Sequence, residues 1–348
     1  MALAPRKLLL VCAVAIAAGV VFWLVPVTWV ATAYISLALA SLLGLATLRW
    51  RRRAFRGVTR ASLIALAACA ALQAQRTHST PLATLTGLPD PDGRWLNRLL
   101  PERDLVLLSS AFGDVFGPIP EPERRGLTPR LLGAYRDIEQ LDGALPTPLL
   151  ATHLGLQSPQ QFDLIAFEPA ETAHGARAKT ALVFLHGRTG NDLLRCWLLA
   201  QPVRRIGGLT LCPSSARGKP WDDAAGRQTL HQTLQFAWLR GISRVFLAGV
   251  GEAGAEAQRL SREYEAVLSG LILIAGCDPA LGSKLDALIV HGQSDGRQSI
   301  ASARNCSRRF AQAGARAELR ELAGGRLLLV QQRAAVDRAI HAWLETQP

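Results

Sequence analysis

The 348-residue chain reads as an α/β protein: a doubly wound, mostly parallel sheet preceded by two or three N-terminal transmembrane helices. Three observations predict this. From about residue 162, short runs of continuous apolar residues alternate with longer amphipathic stretches, the pattern of strands buried on both faces by helices. Several of those runs end in a glycine turn, as in ALVFLHG (181–187) and SRVFLAG (243–249). The first 48 residues hold two uncharged apolar runs, 8–25 and 27–48, each near the roughly 20 residues a helix needs to cross a bilayer.

In chain order, residues 1–75 are the expected membrane anchor. Pro26 and Thr28 fall in a tight turn between the two runs, with Trp23, Trp29 and Tyr34 near an interface. A cleaved signal peptide is the competing reading, because ATA at 31–33 resembles a cleavage site. The apolar stretch before it is too long for one, and another follows. Arg6 and Lys7 precede the first run; Arg49, Arg51, Arg52, Arg53, Arg56 and Arg60 follow the second. Both ends of the hairpin therefore favour the cytoplasm. The run 61–74 decides where the rest of the chain lies. It is short for a span; crossing puts the globular part outside the cytoplasm, and lying flat keeps it inside. The arginines before it anchor a third crossing, so the expected location is a bacterial inner membrane with the globular domain outside the cytoplasm.

Charge and cysteine usage narrow the partners. Of the formal net charge of +12, two thirds lies in residues 1–60, which contain no acid. The excess flanks apolar runs, where topology needs it, and no groove-reading motif accompanies it, which argues against nucleic acid. Apolar residues make up 49 %, ample for a core. The mean hydropathy of +0.16 is high for a soluble protein and puts part of the chain in lipid. Cys12 and Cys69 lie in apolar N-terminal runs; Cys196, Cys212, Cys277 and Cys306 lie in the globular part. No CxxC or Cys/His cluster is present, so no metal site and no cofactor are expected.

Residues 76–160 read as a linker and irregular leading segment, punctuated by PDPDG (89–93) and PIPEPE (118–123), with a short helix at 129–140. Residues 161–348 carry the sheet. Strands are expected at 162–169, 181–187, 207–213, 243–249, 270–276, 286–292 and 315–322, and helices at 191–204, 224–240, 253–266, 299–313 and 333–346. Ligands of such sheets bind at the carboxyl ends of the strands.

Over 162–346 the order of elements and turns resembles an α/β-hydrolase, on four places. LVFLHGRTGN (182–191) is similar to the oxyanion loop, which implies a donor at the Arg188 or Thr189 amide. His186 there reads as a packed, turn-supporting histidine. VFLAGVGEAGAEA (245–257) resembles the strand, nucleophile elbow and helix that carry G-x-S-x-G. Gly249 matches the first glycine and Ala253 the last small residue, followed by Gly254; the nucleophile position falls on Gly251. Glycine tolerates the turn and abolishes the nucleophile, leaving the Glu252 amide as an oxyanion donor. ALIVHGQSDGRQS (287–299) places Asp295 at the triad acid position, where its role would be to orient a histidine; the plainer reading is a cap for the helix near 299. ELAGGRLLL (321–329) places Arg326 where the family has its histidine. Arginine keeps its proton, so Arg326 cannot act as a general base, though it could pair with Asp295.

The resemblance also makes neighbours of the elements carrying Cys196 and Cys212, so a disulfide between them is expected. Cys277 and Cys306 come from the carboxyl side of the sheet as well, and four buried free thiols are the alternative. Among residues that could replace the missing groups, Ser214, Ser215 and Ser294 sit on no strand–turn–helix elbow, His153, His174 and His231 lie outside the loops facing the site, and His291 lies beside the Asp295 strand. Glu252 as a carboxylate nucleophile is one position away. The resemblance thus implies a membrane-anchored pseudohydrolase acting by binding a lipid, peptide or acyl ligand, or a protein partner. The alternative is an active serine-type esterase, lipase or peptidase with a displaced nucleophile. A metal-dependent hydrolase comes third.

Overall fold

The structure, a computed structural model, describes residues 27–47, 53–74, 83–88, 94–112, 121–124, 126–143, 145–169, 178–188 and 190–348. The chain divides into two units, Met1–Thr77 with Arg98–Pro118, and His78–Asn97 with Ile119–Pro348.

The first unit holds helices α1 (Trp29–Thr47), α2 (Arg53–Ala74) and α3 (Glu102–Phe112). α1 carries no charge, and its start is fixed by Asp104, whose carboxylate accepts the Thr28 N–H at 2.8 Å and the Thr28 hydroxyl. An acid at that end also suits the helix dipole. Residues 61–74, read above as a separate run, form the end of one longer helix that begins among the arginines. Among the described residues no helix is long and apolar enough to cross a membrane. The expected first span, 8–25, lies outside them.

The second unit is built on an eight-stranded sheet in the order β1-β2-β4-β3-β5-β6-β7-β8. The strands are β1 (Ala83–Leu88), β2 (Phe162–Phe167), β3 (Thr180–Leu185), β4 (Leu209–Pro213), β5 (Arg244–Val250), β6 (Gly270–Ile274), β7 (Ala287–Gly292) and β8 (Ala317–Leu322). β2 runs antiparallel to both β1 and β4; from β4 through β8 every pairing is parallel. β3, β6 and β7 are buried along their full length, which is why they read as unbroken apolar runs rather than alternating ones.

Helices α4 (Glu121–Arg124), α5 (Leu127–Leu141), α6 (Leu149–His153), α7 (Leu193–Arg205), α8 (Ala224–Leu239), α9 (Glu252–Ser261), α10 (Ile300–Gln312), α11 (Leu328–Gln331) and α12 (Arg333–Glu345) complete the second unit. Three of their starts follow from side-chain caps: Asp192 accepts the Arg195 N–H, Asp223 the Gly226 N–H and Ser299 the Ser302 N–H, each satisfying an otherwise orphaned donor.

The segment 76–160 is more than the irregular leader expected of it. It supplies β1 and α5, and several of its polar residues are held in ion pairs or against the site loops. Arg94 pairs with Asp163 at 2.9 Å and donates to the Leu156 and Gln161 carbonyls. Asp142, 1 % exposed, takes both arms of Arg204 at 2.8 and 2.7 Å and the Trp197 indole N–H at 2.7 Å. Breaking such a pair from one side leaves a buried charge and costs about 3–5 kcal/mol, so this segment is bound tightly to α7.

Candidate active site

Each loop at the carboxyl side of β3, β5, β7 and β8 brings one of the sequence-expected residues. The elbow comes first. β5 ends at Val250, Gly251 adopts φ 62°, ψ −126°, and α9 begins at Glu252. That backbone region costs a residue with a side chain about 1–3 kcal/mol. The turn is held by the Gly251 N–H donating to the Ile274 carbonyl at 2.8 Å and by the Gly254 N–H donating to the Gly251 carbonyl at 3.0 Å. Close approach explains the small residues around it. A Cβ on Gly249 would lie 2.3 Å from the Ala253 carbonyl oxygen, one on Gly254 would lie 2.1 Å from that of Gly276, and one on Gly276 only 1.7 Å from that of Gly251. Among the described residues, a Cβ on Gly251 itself meets nothing within 4 Å. The elbow therefore keeps its shape and the room for a side chain. Beside Gly276, Ala275 holds φ 51°, a second strained position under the same turn.

The oxyanion loop follows β3. Thr189 lies outside the described residues. The Arg188 guanidinium pairs with the Glu252 carboxylate at 2.8 Å, and Arg297 of the acid loop pairs with its other oxygen at 3.4 Å. Glu252 thus ties three loops together through exposed pairs, and its side chain is engaged rather than poised as a nucleophile.

The acid loop follows β7. Asp295 does not cap α10, whose cap is Ser299. Its Oδ1 accepts the Arg297 and Gln298 N–H groups at 2.8 and 3.2 Å, whereas Oδ2 is buried without a hydrogen-bond partner among the described residues. The loop after β8 lies against it: the Ser294 N–H donates to the Gly324 carbonyl at 3.0 Å, and a Cβ on Gly292 would lie 2.4 Å from both the Gly324 and Gly325 carbonyl oxygens. The structure therefore brings Asp295 and Arg326 to adjoining loops. Burial, then the Arg297 charge, pulls the Arg326 pKa down; Glu123 and, more weakly, Asp295 oppose this. Asp295 and Glu123 thus both act on Arg326 through their charge; Glu123 is a buried carboxylate from the leading segment that presses on Gly325. Sequence reading missed Glu123 and Arg297: both lie inside stretches singled out above, PIPEPE and the acid loop, but at positions to which those patterns assign no role.

The residues considered as substitutes are also placed. The Ser215 hydroxyl lies 3.3 Å from His186 Nε2, but the same nitrogen accepts the Ser215 backbone N–H at 2.9 Å. Nε2 is therefore the acceptor nitrogen, and Nδ1 carries the proton and donates to the Gly187 carbonyl at 2.7 Å. Among the described residues no carboxylate orients this ring, which packs edge-on against Trp221. Ser214 is buried beneath Asn191, and Ser294 is exposed. His291 is fully buried; its Nε2 donates to the Gln298 carbonyl at 2.8 Å and stands 3.9 Å from Asp295 Oδ2, beyond hydrogen-bond reach. His153 and His231 bond within their own helices, and His174 lies outside the described residues. Cys196 and Cys212 are joined as a disulfide with Cα atoms 6.1 Å apart. Among the described residues no group of three His, Cys, Asp or Glu side chains converges as a metal site.

Burial holds His186 neutral, pushing its pKa from 6.5 down to about 4. Between those values the unfolded chain binds more protons than the folded one, so stability is full above pH 6.5 and falls with pH through that window, by roughly 3 kcal/mol. Denaturant unfolding between pH 7 and 4 is expected to show this slope in the wild type and a flatter one in His186→Gln; equal slopes would mean that the ring is not buried in its neutral form.

The sheet order, the antiparallel second strand, the elbow after β5 and the acid loop after β7 define an α/β-hydrolase fold. No protein-family model matches the chain, and no curated protein does. Several solved structures are similar. Est1E from Butyrivibrio proteoclasticus, solved with ferulic acid bound, is 13 % identical over 53 % of this chain and 96 % of its own, at a TM-score of 0.45. An α/β serine hydrolase homologue from Coxiella burnetii is 13 % identical over 53 % and 92 %, at 0.42. The Pyrococcus furiosus esterase Pf2001 is 9 % identical over 54 % and 88 %, at 0.44.

Proposed function

We propose that this chain is a membrane-anchored hydrolase-fold protein without a working triad, acting by binding at the old cleft. The observation that carries the reading is Gly251 in the elbow conformation with open space at its Cβ position: the scaffold is kept and the reactive atom is gone. Arg326 at the histidine position and the unpartnered Oδ2 of Asp295 support it. A complete triad is worth about a millionfold in rate, and its loss leaves only weak catalysis from binding and the oxyanion donors. The ligand is a small acyl, lipid or peptide group seated over Gly251, or a protein partner. Anchoring is supported by the two uncharged N-terminal runs and the arginines behind them, and by Ile64 and Leu72 standing 69 % and 64 % exposed on α2. The Cys196–Cys212 disulfide fits a bacterial inner membrane with the second unit on its oxidising, extracytoplasmic side.

The contact between Ser215 and His186 favours one rival, an active serine hydrolase with a displaced nucleophile. A fluorophosphonate, which phosphonylates activated serines, separates the two. The full-length chain is expected to stay unlabelled. Labelling that Ser215→Ala abolishes would move the chemistry to that pair and overturn the reading.

A further inference from the structure

Away from the cleft, the first unit holds a cavity of its own. α1 and α2 pack against each other, and about 360 Å³ stays open between the start of α1 and the end of α2, within the roughly 300–1,000 Å³ of small-ligand sites. Val30, Ala33 and Tyr34 line it from α1, and Cys69, Leu72 and Gln73 from α2. Each trio falls at i, i+3 and i+4, one face of its helix. Leu72, 64 % exposed, is an apolar lip. The lining carries no charge, yet it holds polar groups. The Tyr34 hydroxyl is buried with no hydrogen-bond partner among the described residues, Gln73 is 7 % exposed, and Cys69 is a free thiol. A buried hydroxyl left unpaired is unfavourable, and an acceptor brought in by a ligand relieves it. The arginines of α2 lie elsewhere: Arg60 is nine residues from Cys69, roughly 13 Å along a helix. The lining therefore offers an anionic head no counter-charge.

We propose that this cavity binds an uncharged single-chain lipid, its head oxygens meeting the Tyr34 hydroxyl and the Gln73 amide and its chain running out over Leu72. That such a ligand comes from a bilayer rests on the anchoring half of the reading above. The cavity itself depends neither on that nor on the state of the cleft.

The test is photolabelling of the full-length chain in detergent micelles with a 1-O-alkylglycerol that carries a diazirine in its chain, an ether that no esterase cleaves. The fatty acid with the same tail, in mildly alkaline buffer that ionises it, is the comparison. Micelles make the result independent of anchoring, which release of the chain from membranes by alkaline carbonate would refute separately. The alkylglycerol is expected to label tryptic peptides 8–49 and 61–76 saturably, and the fatty acid is not. Tyr34→Phe should raise the half-saturating concentration about fivefold, the usual net effect of one hydrogen bond. Ala33→Phe, which fills the cavity, should abolish saturation, with the Cys196–Cys212 bond and the far-ultraviolet dichroism unchanged in both variants. Labelling that rises without saturating, that is equal with the fatty acid, that falls only in the second unit, or that neither variant alters would overturn the proposal.

Discussion

The double substitution Gly251→Ser, Arg326→His is expected to give the chain an ester-hydrolysing activity that neither single substitution has. The elbow already holds φ 62°, ψ −126° at position 251, and a Cβ there meets nothing within 4 Å, so a serine can enter at the cost of backbone strain of about 1–3 kcal/mol. The histidine loop adjoins the acid loop, and Asp295 keeps Oδ2 without a partner, available to an imidazole N–H. Gly251→Ser alone has no base, and Arg326→His alone has no nucleophile, so both should remain at background; triad members act as a unit and their effects do not add. The double variant should hydrolyse a p-nitrophenyl ester on the order of 10²-fold faster than either single one, well short of the millionfold of an evolved triad. Equal rates in all three would mean that Asp295 and position 326 are not held as a hydrolase holds its acid and histidine.

The second large effect is on stability. Gly276→Ala is expected to cost on the order of 4 kcal/mol or more, in the range reserved for severe overpacking. Its Cβ would stand 1.7 Å from the Gly251 carbonyl oxygen, and that carbonyl accepts the Gly254 N–H and cannot retreat without opening the elbow. Gly296→Ala is the control: its Cβ meets nothing within 4 Å, and it should stay within about 0.5 kcal/mol of wild type. Denaturant midpoints measure both; a mild Gly276→Ala would mean that the turn is looser than these contacts require.

The sheet was legible where burial on both faces leaves no polar position, as in β3 and β7. β1, ATLTGL, was not: it is half-exposed, contains a glycine and pairs antiparallel at the sheet edge, so it carries neither an apolar run nor clean alternation. The elbow could be read because glycine and alanine spacing records close backbone approach. The leading segment could not, because it acts through single polar residues, Arg94, Glu123 and Asp142, whose partners lie far off in the chain. The charge of Glu123 acting on Arg326 needed the fold to bring that segment to the histidine loop.

The most direct measurement of the central claim is hydrolysis of a short p-nitrophenyl ester by the full-length wild-type chain beside Asp295→Ala. No turnover above buffer, or the same weak turnover in both, is the predicted result. Turnover in the wild type that Asp295→Ala abolishes would contradict the account and show that the acid still serves a working triad.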